Sequence, residues 1–104
     1  MVVYEVRLTI DPSIRTAFLS WLDEHVAEML TFDGFVAAQI LTGDTSEPDE
    51  LSVHYTLENR AYFAHYEQTH ADRMRAEGLT LFPRGLSATR RLWDTQQFKN
   101  SNRA

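Results

Sequence analysis

Apolar and polar residues alternate along "VVYEVRLTI" (2–10), with Tyr4, Val6, Leu8 and Ile10 on one side and Val3, Glu5, Arg7 and Thr9 on the other. A period of two is the mark of a strand buried on one face. "DPS" follows, where Asp11 can cap a helix whose first position is Pro12. From Ile14 the period becomes helical: Ile14, Phe18, Trp21, Leu22, His25, Val26 and Met29 share one stripe until Gly34 ends the segment. "FVAAQIL" (35–41) and "LSVHYTL" (51–57) read as a hairpin around the polar loop 42–50. A second helix is expected over 59–77, closed by Gly78, and a fourth strand over 86–93. Residues 94–104 are a polar tail expected to fray.

The order β-α-β-β-α-β predicts an α+β, ferredoxin-like fold as one domain over 1–93. Right-handed crossovers put both helices on one face of a four-stranded antiparallel sheet. The other face has no cover from its own chain and carries Glu5, Arg7, Thr9, His54, Thr56, Thr89 and Arg91, with Val3 and Trp93. Covering it favours a homodimer.

Composition narrows the function. The net charge is −5, rising only to −1 with all four histidines protonated, which speaks against nucleic acid or an anionic membrane as partner. With no cysteine, disulfides, thiolate metal sites and a cysteine nucleophile are excluded. "MVVYEVRLTI" does not read as a signal peptide and no apolar run approaches a membrane span, so a cytoplasmic location is expected. Glycine-rich phosphate loops and metal-ligand motifs are missing, so no tightly bound metal, flavin or nicotinamide is expected.

The candidate chemistry lies on the two helices. On a wheel of the second, Tyr62, Phe63, Tyr66, His70, Arg73 and Met74 share a stripe with His70 near its centre, while His65 falls on the outer side. Residues five apart do not chelate one ion from a helix, so the histidine pair is not read as a metal site. His25 sits in the stripe of the first helix. Helix heights place His25 and His70 too far apart to share a metal, though both can border one cavity. His70 and His25 are therefore the candidate acid–base groups. Tyr66, Trp21, Tyr4, Tyr55 and Arg90 are the candidate lining, suited to a small aromatic or anionic molecule. Each has a structural alternative: a core histidine bonded to a carbonyl, packed aromatics, an arginine in a salt bridge.

"YEVRLTIDPSI", "WLDEHVAEML", "GF", "FAHYEQTHADRMRAEGLTLF" and "LSATRRL", in this order, resemble a small bacterial family of unknown function. That family is similar to the dimeric α/β-barrel superfamily of antibiotic-biosynthesis-monooxygenase-like proteins, and the resemblance spans residues 2–93. It implies paired sheets forming a barrel between two subunits and a pocket between sheet and helices. Members of the superfamily include cofactor-independent monooxygenases and heme-degrading enzymes. No catalytic set of either kind matches residue by residue here. The expectation is a small-molecule-binding protein or cofactor-independent enzyme; the alternative is a dimeric structural or regulatory module without chemistry.

Overall fold

A computed structural model describes residues 1–44, 46 and 49–102. Loop positions 45, 47 and 48, and tail positions 103 and 104, lie outside the described residues. The elements run β1 (Val2–Ile10), α1 (Arg15–Met29), β2 (Phe35–Thr42), β3 (Glu50–Leu57), α2 (Arg60–Thr69), α3 (Ala71–Leu81) and β4 (Leu86–Asp94). The sheet order is β2-β3-β1-β4, antiparallel throughout, as the ferredoxin-like reading requires.

Strand parity sorts the residues as the alternation predicts. Tyr4 stands opposite Tyr55 and Leu92, and Val6 opposite Val53 and Arg90, all on the helix side. There Val2, Tyr4, Leu8, Ile10, Leu51, Val53, Tyr55 and Leu57 are buried beneath Phe18, Leu22, Val26 and Met29 of α1. A bulge between Phe35 and Ala37 restores the parity of β2 after the turn.

Two expectations about the helices are corrected. Asp11 does cap with Pro12 at the first position, but it caps a short 3₁₀ turn, Pro12–Ile14, accepting from the Ser13 amide at 2.9 Å; α1 begins only at Arg15. The second helix is not one helix over 59–77. It breaks at His70 (φ −125°, ψ −25°) and resumes as α3, running through Gly78 to Leu81. Hydrogen bonding continues across the break, from the His70 amide to Tyr66 O (2.8 Å) and from the Met74 amide to His70 O (3.0 Å). The buried face nevertheless turns by about 100°, one residue of helical phase. It passes from Tyr66, with Tyr62 and Phe63 partly buried beside it, to Ala71, Met74 and Gly78. Neither proline nor glycine stands at the break. Its visible returns are Ala71, fully buried, and the His70 imidazole, flat on Phe32 with 4.0 Å between centroids and 2° between planes.

On the open face, Glu5 accepts from Ser52 Oγ (2.9 Å) and Trp93 Nε1 (3.1 Å), with His54 Nε2 at 3.3 Å. Burial works to raise the Glu5 pKa, but these bonds outweigh it and hold the carboxyl below its usual range. Arg91 lies 4.1 Å above the Trp93 ring. This carboxylate ties together indole, hydroxyl and imidazole from the two strands flanking its own.

Candidate functional site

Between α1, α2, α3 and the helix side of the sheet lies a cavity of about 240 Å³. Its floor carries Tyr4, Tyr55 and Arg90; α1 supplies Trp21 and His25; α2 supplies Tyr66. Six of the seven residues singled out in the sequence are thus brought together. The seventh, His70, is not among the lining residues: the helix breaks at that residue and its ring is taken up by Phe32, with the His65 ring 6.1 Å away, edge-on.

The same change of phase corrects Arg73. A continuous helix would carry it on the sheet-facing stripe. Instead it points outward, bridging Glu28 of α1 and Glu77 of α3 at 3.0 Å each. Arg75 reaches the cavity in its place. Its Nη2 donates to the Tyr4 hydroxyl and to Glu67 Oε1, both at 3.2 Å, while its buried Nε has no partner among the described residues. Burial works against the Arg75 charge, but the bonds to Tyr4 and Glu67 outweigh it and raise the pKa. The wheel missed Arg75 because its position depends on the break, which leaves no sequence mark.

His25 stacks on Trp21 (4.5 Å, 30°), and Trp21 packs on Phe18 (5.6 Å) and Phe82 (5.9 Å). Burial pushes the His25 pKa down; Glu77 and Glu28 oppose this and Arg90 adds to it, leaving a neutral ring at neutral pH. His25 Nδ1 is buried without a partner among the described residues. An unpaired buried N–H is rarer than an unpaired acceptor. The favoured tautomer therefore carries its proton on Nε2, making His25 a donor through that nitrogen. The aromatic floor is continuous: Tyr4 lies 5.9 Å from Tyr55 and 6.0 Å from Tyr66 between centroids. Burial, with neighbouring phenols, drives the Tyr55 and Tyr66 hydroxyls well above their ordinary pKa, against the pull of Arg75 and Arg90 on Tyr66. Both stay protonated and serve as hydrogen-bonding groups, not bases.

Among the described residues no cluster of three or more histidine or acidic side chains is placed to hold a metal ion, and no helix is long and apolar enough to cross a membrane.

The profile of a domain of unknown function, DUF4286, matches residues 1–96. The chain belongs to this family. No curated protein sequence matches the DUF4286 chain significantly. Solved structures do share its fold. The cofactor-independent oxygenase SnoaB from Streptomyces nogalater superposes with a TM-score of 0.75 at 15% identity, covering 93% of this chain and 94% of that one. An antibiotic biosynthesis monooxygenase gives 0.72 at 16% identity, covering 93% and 100%. A variant of MhuD with two manganese protoporphyrin IX molecules per active site gives 0.76 at 15% identity, covering 97% and 100%. At such identities the likeness establishes the fold of this DUF4286 chain, and its chemistry must be argued from its own residues.

Proposed function

We propose that the protein binds a small planar organic molecule in the cavity between helices and sheet, with His25 as the hydrogen-bonding group that reads it. One observation carries the proposal: a space of about 240 Å³ persists where a domain this small would otherwise pack, and polar groups of Tyr66, His25 and Arg75 converge on it. An apolar cavity of about 150 Å³ accepts benzene, so this one has room for one or two fused rings. The porphyrin of the MhuD variant is larger than this space. His25 is the group there whose ordinary titration range lies nearest neutrality.

The expected result is that His25→Ala weakens binding of naphthalene-sized compounds by tenfold or more in calorimetry, a lost buried hydrogen bond and ring stack together. His70→Ala leaves binding unchanged, since its ring rests on Phe32 outside the cavity. The opposite ranking of the two variants would falsify the assignment.

The protein is a homodimer in the same reading, paired through the open sheet face. Trp93 there is 45% exposed, with its indole N–H held on Glu5. Sedimentation equilibrium is expected to give twice the chain mass at micromolar concentration. Monomer alone at that concentration rules the dimer out.

A further inference from the structure

The polar side chains around the cavity can each donate a hydrogen bond, and none is a carboxylate. They are the hydroxyls of Tyr4, Tyr55 and Tyr66, the rings of Trp21 and His25, and the guanidinium groups of Arg75 and Arg90. Among the described residues no aspartate, glutamate, asparagine, glutamine, serine or threonine lines it. The chain as a whole carries a net charge of −5, so two cations and no anion on one cavity run against its composition.

The two arginines have one carboxylate between them. Glu67 approaches Arg75 Nη2 from the solvent side at 3.1 Å, and among the described residues Arg90 forms no ion pair. Arg75 stands on α3 and Arg90 on β4, so positive charge enters from opposite walls of the same space. The Tyr4 hydroxyl is fixed on Arg75. The buried Arg75 Nε has a proton and, among the described residues, nothing to give it to.

We infer that the cavity selects an anion, specifically a planar aromatic carboxylate, its ring between Trp21 and Tyr66 and its charge answered by Arg75 with Arg90. The inference rests on the binding role proposed above and adds the sign and kind of the ligand's polar group. An aromatic body is required because Phe18, Leu22 and Met29 fill much of the remaining wall. A carboxylate suits the site because a planar guanidinium fork matches its two coplanar oxygens, and a charge enters an apolar space only when paired. The neutral tyrosine hydroxyls and the His25 donor complete the acceptor-seeking lining. A cationic ligand would meet two like charges and, among the described lining residues, no carboxylate.

Calorimetric titration of the full chain with three compounds of one shape tests this: naphthoate, naphthalenemethanol and naphthylmethylamine. Naphthoate is expected to bind at least tenfold more tightly than the alcohol, and the amine more weakly than either. Arg75→Gln is expected to erase at least tenfold of the preference for naphthoate over the alcohol; Arg90→Gln erases a smaller part. Should Arg75→Gln fail to fold, the ranking of the three compounds on the natural chain decides alone. An alcohol that binds as tightly as naphthoate overturns the charge assignment and leaves the ligand site standing. Binding of none of the three overturns the ligand site, and the anion with it.

Discussion

Replacing Gly34 by alanine is expected to destabilise the protein by roughly 2–5 kcal/mol, more than the same change at Gly78 or Gly85. Two causes add. Gly34 has φ +82°, where a residue with a Cβ pays about 1–2 kcal/mol. A Cβ there would also fall inside the Tyr62 side chain, and overpacking costs about 1–3 kcal/mol. Neither neighbour has room to yield. Gly34 O accepts from the Glu58 amide at 2.9 Å, tying the turn before β2 to the start of α2. Tyr62 is held in the first turn of α2, whose amide donates to the Asn59 cap at 3.2 Å. A domain of about this size loses about 4–8 °C per kcal/mol, so the melting temperature followed by circular dichroism should fall by about 10 °C or more. Adding Tyr62→Ala to Gly34→Ala should remove the ring's share of the clash while its Cβ contact and the backbone cost remain, so part of the loss returns, a coupling that a double-mutant cycle resolves. Unchanged melting of Gly34→Ala would show that the turn does not hold this conformation.

The second large effect is on binding. Gly78 lies inside α3 with its Cα against Trp21, and a Cβ there would stand 3.1 Å from Trp21 Cη2. Gly78→Ala asks the indole to give by a few tenths of an ångström and gains about 1 kcal/mol of helix propensity, so stability should change little. Gly78→Leu is different. Its side chain must displace the indole or occupy the cavity that Gly78 lines. Overpacking of about 1–3 kcal/mol is offset in part by the same propensity gain. The fold should survive while affinity for naphthoate falls by a hundredfold or more. Binding by Gly78→Leu at natural strength would place the ligand somewhere other than beside Trp21.

Gly78 also shows how far the sequence could be read. As a glycine after a helical run it looks like a terminator, yet it is buried within α3, where the Trp21 indole packs close against it. That is a tertiary cause, and local pattern carries no trace of it. Strand parity, by contrast, is local and strict. The alternation in "VVYEVRLTI" and "LSVHYTL" placed Tyr4 and Tyr55 on the cavity side and Glu5 and His54 on the open one, as the pairing shows. Arg90 followed from the same rule applied to β4. His25 and Trp21 were legible because α1 is unbroken across them. Past His70 the helical wheel loses its phase. The ring that a continuous helix would aim at the sheet is stacked on Phe32 instead, and Arg75 takes the inward place that the wheel gave to Arg73. Asp11 and Pro12 signalled a helix start correctly in kind, but what they open is a three-residue 3₁₀ turn, Pro12–Ile14, that precedes α1.

The two tryptophans supply a built-in probe and control. Trp21 lines the cavity beside His25, whereas Trp93 lies on the opposite face of the sheet with its indole N–H on Glu5. The most direct test of the binding site is therefore a titration of isotope-labelled protein with naphthoate, following both indole N–H signals by NMR. A saturable shift of the Trp21 signal with Trp93 unmoved is the predicted result. Movement of Trp93 alone, or of neither signal while the compound is shown to bind, would contradict a ligand site between the helices and the sheet.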